Sequence, residues 1–146
     1  KLIVTGASGF IGLALVRSMV LMGHSVIAIV YSEKSDTGKN ESGAEIIHCK
    51  AQEIRSLGEK ISGPVDSCVH LAWAGSYGSE KSDYKVQIEN LRGTLGLIET
   101  LSSMGVKKLV CSGTIAEKEI IRNFVTGSKN LPPNYYAIAK VATHDV

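Results

Sequence analysis

The stretch Lys1-Leu2-Ile3-Val4-Thr5-Gly6-Ala7-Ser8-Gly9-Phe10-Ile11-Gly12 decides how this chain folds. A short apolar run leads into a turn with three glycines, and residues 8–22 continue with the apolar spacing of a helix. A helix that follows such a turn offers unpaired N–H groups and a positive dipole end to a phosphate. Gly6 fits a tight turn, Gly9 a close approach of phosphate to backbone, and Gly12 the packing of helix on strand.

Outward from this turn, short apolar runs alternate with helical patterns. Strands are predicted at 2–4, 26–31, 46–47, 65–72 and 108–112, and helices at 8–22, 52–61, 83–104 and from Asn134, which suits an N-cap. Residues 26–31 are continuously apolar, which indicates a central strand covered on both faces. Residues 115–133 are expected to be irregular. The alternation predicts an α/β fold: a Rossmann-like, doubly wound parallel sheet in three layers, α/β/α.

The composition agrees with one globular domain. The 146 residues carry a net charge of only +2, which does not favour nucleic acid as a partner, and no apolar run approaches the roughly 20 residues of a membrane span. Cys49, Cys68 and Cys111 are odd in number and widely spaced, which predicts buried, reduced thiols in a cytoplasmic protein. No Cys/His spacing resembles a metal site.

Tyr136 and Lys140 stand four residues apart, so a helix would place them on one face. A free tyrosine has a pKa of about 10, too high for a general base at neutral pH, but a nearby ammonium favours the phenolate. Tyr136 is therefore predicted to take a proton from a substrate hydroxyl as hydride leaves for a nicotinamide, and to return it in the reverse direction.

Five motifs in chain order resemble the extended short-chain dehydrogenase/reductases, a family of sugar-nucleotide epimerases, dehydratases and reductases. They are the glycine turn at 5–12, His70-Leu71-Ala72-Trp73, Asn90-Leu91-Arg92-Gly93-Thr94, Ser112-Gly113-Thr114 and Tyr136-Ala137-Ile138-Ala139-Lys140. The resemblance implies an NAD(P)-dependent epimerase, dehydratase or reductase whose substrate is a small molecule, in the first place a sugar nucleotide. A carbonyl reductase of the same family and a dinucleotide-sensing protein are the alternatives.

The resemblance also implies roles for individual residues. Thr114, and less favourably Ser112, would hold the substrate hydroxyl beside Tyr136, while Lys140 would also bind the nicotinamide ribose. Contacts to the cofactor are expected from Gly6, Ser8, Gly9, Phe10, Ile11, Gly12, Tyr31, Ser32, Leu71, Ala72, Trp73, Asn90, Tyr136 and Lys140. Asn90 is expected to bond a backbone group across to the sheet, and His70 to be a packed, hydrogen-bonded histidine.

Some positions depart from the family pattern. The second strand is followed by Ser32-Glu33-Lys34, where a carboxylate would indicate NAD and a basic residue NADP, so that NAD and NADP both remain open. The usual aspartate after the third strand is missing, which leaves Gln52 or backbone groups for the adenine. Ile115-Ala116 replaces the Asp-Glu pair of sugar-nucleotide 4,6-dehydratases, which counts against that subclass.

The family's enzymes are longer than this chain. Residues 1–146 are therefore expected to be the NAD(P)-binding Rossmann domain of a longer product, with the substrate domain and the C-terminal part of the family fold missing. A homodimer is also expected, because the family often dimerises through the long helix and the Tyr/Lys helix.

Overall fold

The computed structural model describes residues 1–31, 43–127 and 134–143. In chain order its elements are β1 (Leu2–Thr5), α1 (Phe10–Leu21), β2 (Val26–Val30), β3 (Glu45–His48), α2 (Leu57–Lys60), β4 (Ser67–His70), α3 (Tyr84–Ser103), β5 (Lys108–Cys111), α4 (Ala116–Thr126) and α5 (Tyr135–Ala142). Short 3₁₀ helices at Ala51–Ser56 and Ser79–Ser82 precede α2 and α3.

The described strands form one parallel sheet in the order β3-β2-β1-β4-β5. Strand β1 lies in its centre, with Val4 opposite Ala28 of β2 and Val69 of β4. The order of the strands runs outward from β1 in both directions, so the crossovers change direction between β1 and β4. Open α/β sheets bind their ligands at this point, beyond the carboxyl ends of the strands.

Apolar side chains cover both faces of the sheet. Ile3 of β1 packs in a cluster with Leu57 of α2 and Leu97 of α3, while Val4 packs on the opposite face with Val16 of α1. All five residues of β2 are buried, as a continuously apolar strand predicts. The three-layer α/β/α arrangement expected from the sequence is therefore confirmed.

The described part of the chain divides into two compact units. One consists of Lys1–Ala72 with Gly96–Ser112 and contains the whole sheet. The other consists of Trp73–Leu95 with Gly113–Val146 and contains α4, α5 and the first part of α3. None of the helices in these described ranges is long and apolar enough to cross a membrane.

The prediction for residues 115–133 is wrong over α4. This segment forms a helix because Glu117 and Glu119 lie in its first turn, where carboxylates complement the helix dipole, and Gly127 ends it with a φ of +67°. The helix predicted at 52–61 is in fact a 3₁₀ helix followed by the single turn of α2. The other predicted elements agree with the structure to within two residues at each end.

Candidate functional site

The glycine turn joins β1 to α1. Gly6 has a φ of +67°, and a Cβ built on it would lie 2.7 Å from the backbone nitrogen of Ala72. A Cβ on Gly12 would lie 2.1 Å from the carbonyl oxygen of Gly6. Both positions therefore require glycine, because backbone lies too close for a side chain. At Gly6 it is the backbone that follows β4, and at Gly12 it is the glycine turn itself.

The start of α1 fits the pyrophosphate of a dinucleotide. Gly9 is the N-cap and provides no side-chain cap, and a Cβ on it would meet only the Gly6 carbonyl oxygen, at 3.2 Å, among the described atoms. The side chain of Phe10 is 97% exposed, and Ile11 is also exposed. Open backbone N–H groups at a helix N-terminus, with no side chain in the way, suit an approaching anion.

Hydrogen bonds join the carboxyl ends of β1 and β4. The Thr5 hydroxyl and Nδ1 of His70 share a buried hydrogen bond of 2.6 Å, and the Ala72 N–H donates to the same hydroxyl over 3.2 Å. The Leu71 N–H donates to the Thr5 carbonyl. His70 is thus a packed, hydrogen-bonded histidine, as predicted, and Leu71 and Ala72 follow the strand beside the glycine turn.

The positions expected to choose between NAD and NADP are only partly described. Tyr31 directly follows β2 and exposes its ring. Ser32, Glu33 and Lys34 lie outside the described residues. Gln52 is exposed on the 3₁₀ helix that follows β3.

The second compact unit brings Tyr136 and Lys140 together on α5. Asn134 caps this helix by accepting a 3.0 Å hydrogen bond from the Ala137 N–H, as predicted. Tyr136 is only 9% exposed and Lys140 only 5%. The Lys140 Nζ lies 3.8 Å from the centroid of the Trp73 indole, and the Tyr136 ring meets the same indole edge-on at 6.1 Å between centroids.

Two amides on α3 fix the loop that carries Trp73. The Trp73 Nε1–H donates to Oε1 of the buried Gln87 over 2.9 Å. Asn90 bonds the backbone of Ala74 twice, accepting from its N–H and donating to its carbonyl. Asn90 therefore does bond a backbone group, but the group lies in the loop after β4 and not in the sheet. A cofactor contact from Asn90 stays a prediction.

Gln87 and Lys81 were missed by sequence reasoning. The Lys81 Nζ lies 5.2 Å from the centroid of the Tyr136 ring, in the 3₁₀ helix before α3. Nothing in the sequence singled this lysine out. Gln87 had a weak signal, because it precedes Asn90 by one helical turn and so shares its face.

Thr114 begins the turn that leads into α4. Its N–H donates to Oε1 of the buried Glu117 over 2.7 Å, and its hydroxyl oxygen accepts from the Ala116 N–H over 3.4 Å. Ser112 follows β5, and its N–H donates to the carbonyl of His70. A role for Thr114 in holding substrate stays a prediction.

The three cysteines are free thiols, and Cys49 and Cys68 are buried as predicted. The prediction of burial is wrong for Cys111, which is only half-buried at the end of β5. Burial raises the pKa of Cys68 to about 12 and is also the main cause that raises the pKa of Cys49. Both thiols are therefore protonated and unreactive near neutral pH. Within the described residues there is no group of three or more His, Cys, Asp and Glu that would hold a metal ion.

A parallel sheet in this strand order, with a glycine turn after its first strand, defines a dinucleotide-binding α/β protein. The family of NAD dependent epimerases/dehydratases matches residues 2–146, and the chain belongs to this family. This confirms the resemblance drawn from the five motifs. NAD, the cofactor in the family's description, agrees with the dinucleotide predicted from the glycine turn.

Two enzymes and one crystal structure illustrate the similarity. dTDP-6-deoxy-L-talose 4-dehydrogenase (NAD(+)) of Aggregatibacter actinomycetemcomitans is 26% identical over 96% of this chain and 51% of its own length. UDP-glucose 4-epimerase of Streptomyces lividans is 26% identical over 97% of this chain and 45% of its own. The structure of UDP-glucose 4-epimerase from Thermotoga maritima with UDP-glucose shares the fold, with a TM-score of 0.78 at 22% identity over 99% of this chain and 48% of that one. The chain spans about half the length of these relatives.

Proposed function

We propose that this chain is the dinucleotide-binding part of an NAD(P)-dependent oxidoreductase of the epimerase/dehydratase type that acts on a sugar nucleotide. The observation that carries the proposal is the buried pair Tyr136 and Lys140, one turn apart on α5 and both against Trp73. A purely binding protein has no need to bury a phenol and an ammonium against the same indole, since burying a charge is costly.

The substrate class rests on the relatives. One is named as a dehydrogenase of a dTDP-linked deoxysugar and another as an epimerase of UDP-glucose. The reactions in both names occur at carbon 4 of a sugar joined to a nucleoside diphosphate. We therefore propose a nucleoside-diphosphate sugar as substrate, oxidised at a secondary hydroxyl.

In this proposal each residue has a separate task. The N–H groups at the start of α1 bind the pyrophosphate of the dinucleotide. A nicotinamide held there would supply the acceptor for the hydride that leaves the sugar carbon. The Tyr136 oxygen takes the proton of the hydroxyl on that carbon and returns it in the reverse direction. The Thr114 hydroxyl, which accepts a bond from the Ala116 N–H, keeps its own proton to donate to the substrate oxygen.

The test replaces Tyr136 by phenylalanine in the full-length protein. Turnover of the nucleotide sugar is expected to fall at least about 100-fold, the usual contribution of a positioned acid or base, while the dissociation constant of NAD(P) stays near that of the wild type. Tyr135→Phe is the matched control. It removes a hydroxyl from the neighbouring residue of the same helix and keeps the ring contact with Tyr84, so turnover should not change.

Three results would contradict the proposal. Near-normal turnover in Tyr136→Phe with cofactor bound would exclude the proton-transfer role. A wild-type protein that binds the dinucleotide but never changes its redox state with sugar nucleotides would be a sensor. Reduction of small ketones or aldehydes with no reaction of sugar nucleotides would identify a carbonyl reductase.

A further inference from the structure

We infer that Trp73 is a positioning residue: its indole holds the Lys140 ammonium against one face and the Tyr136 ring against its edge, and Gln87 fixes the orientation of the indole. The inference rests on the proposed function, because it assigns Trp73 a role in keeping the proposed proton-transfer pair in place. The role is additional to the cofactor contact that the sequence predicts for Trp73.

The contact with Lys140 is close enough to stabilise the ammonium. Its Nζ lies 3.8 Å from the indole centroid, well within the roughly 6 Å over which a cation is attracted to an aromatic face. Tryptophan gives the strongest such interaction, and the interaction strengthens when the cation is desolvated. Lys140 is buried, so the indole face is one of the groups that replace water around its charge.

The indole also orders the tyrosine. The planes of Trp73 and Tyr136 meet at 81° with 6.1 Å between centroids, which is the edge-to-face arrangement that aromatic pairs prefer. One side chain therefore touches both members of the pair. A change in the tilt of the indole would move the ammonium and the phenol together.

Gln87 determines that tilt. Its Oε1 accepts from the Trp73 Nε1–H, and its Nε2 donates to the carbonyls of Gly75 and Glu80, each over 3.0 Å. The Asn90 Nδ2 donates weakly to the same Oε1, at 3.3 Å. Because both ends of the amide have partners of the correct kind, only one orientation of the Gln87 side chain satisfies them all. The indole is thereby fixed to α3.

The kinetic test compares full-length variants. Trp73→Leu removes the aromatic face and should lower kcat about tenfold, whereas Trp73→Phe keeps a face and should lower it only about twofold to threefold. The double variant Trp73→Leu, Lys140→Met should lower kcat by clearly less than the product of the two single fold-losses, because the indole has no ammonium to hold once Lys140 is replaced. Tyr77→Leu, at an exposed aromatic residue of the same loop, is the matched control and should leave kcat unchanged.

A spectroscopic test is independent of turnover. Subtracting the emission of Trp73→Phe from that of the wild type isolates the fluorescence of Trp73. Lys140→Met should change that emission, because the charge leaves the indole face, while Lys107→Met at an exposed site should not. The emission also tests the contact between Trp73 and Lys140 if Trp73→Leu does not accumulate as folded protein.

The outcomes separate the inference from the proposed function. Equal losses in Trp73→Phe and Trp73→Leu, losses that multiply in the double variant, or unchanged emission in Lys140→Met would each overturn the positioning role, even if Tyr136 proves essential. Near-normal turnover in Tyr136→Phe with cofactor bound would instead overturn the proposed function, whatever the emission shows.

Discussion

Replacing Gly6 by alanine tests whether the turn depends on close backbone approach or only on backbone conformation. An L-residue held at a φ of +67° costs roughly 1–2 kcal/mol, and a Cβ that comes 2.7 Å from the Ala72 nitrogen adds about 1–3 kcal/mol of overpacking. Gly6→Ala is therefore expected to lower the free energy of unfolding by about 2–5 kcal/mol. To accept the methyl group, the turn after β1 would have to move away from the backbone that follows β4.

Two further alanine variants separate the cost of the backbone conformation from the cost of the close approach. Gly23 has a φ of +83°, and no described atom lies within 4 Å of the place that an alanine methyl group would take, so Gly23→Ala carries only the conformational cost of roughly 1–2 kcal/mol. Gly12 lies inside α1, where alanine normally gains about 1 kcal/mol over glycine, but the 2.1 Å approach to the Gly6 oxygen should reverse the sign.

Urea unfolding of the full-length variants without cofactor measures these differences directly. The order of stability should be wild type, then Gly23→Ala, then Gly6→Ala. If Gly6→Ala costs no more than Gly23→Ala, then backbone conformation alone requires the glycine, and the close approach to Ala72 does not matter. If Gly12→Ala stabilises the protein, the packing argument for that glycine is wrong.

Three other changes have definite expected outcomes. Asn134→Ala removes the α5 cap and should cost about 1 kcal/mol in urea unfolding, while Asn134→Asp should recover most of it. Cys68 should resist alkylation near neutral pH and react only on unfolding. Because burial raises its pKa from 9.0 to about 12, the unfolded thiol ionises first, so stability falls between those pH values by up to about 1.4 kcal/mol per unit, and Cys68→Ala should lack this part of the fall. Glu99→Gln breaks an exposed 2.9 Å ion pair with Arg55 and should change the free energy of unfolding by less than about 1 kcal/mol, which thermal or urea unfolding would show.

The sheet could be predicted because its signals are local. The apolar run of β2 is buried on both faces as its composition requires, and Asn134 caps α5 with its own side chain. Helix α4 was missed although its apolar residues recur at helical spacing, at Ile120, Ile121, Phe124 and Val125. Gly127 provided an end signal as well. The burial of α4 could not be predicted from this pattern, because the acidic Glu117 is buried while Phe124 is 90% exposed and Val125 is exposed.

The contacts around the Tyr/Lys pair could be predicted only in part. The spacing of Tyr136 and Lys140 is a property of one helix, so the sequence contains it. Trp73, which contacts both residues, lies in a loop, and Gln87, which accepts from its indole N–H, lies on α3. These contacts depend on tertiary packing. The spacing of Gln87 to Asn90 was too weak a signal to distinguish this glutamine from others on a long helix, so Gln87 was not found from the sequence.

The pairing of β1 with β4 has a consequence for synthesis on the ribosome. Residues 5–12 contain the whole glycine turn, yet the hydrogen bond from Thr5 to His70, at the carboxyl ends of β1 and β4, joins residues that are 65 positions apart. At roughly 5–20 residues per second, several seconds of translation separate the emergence of β1 from that of its partner. During this interval strand β1 lacks its β4 neighbour, so the glycine turn emerges several seconds before the residues that complete its hydrogen bonds.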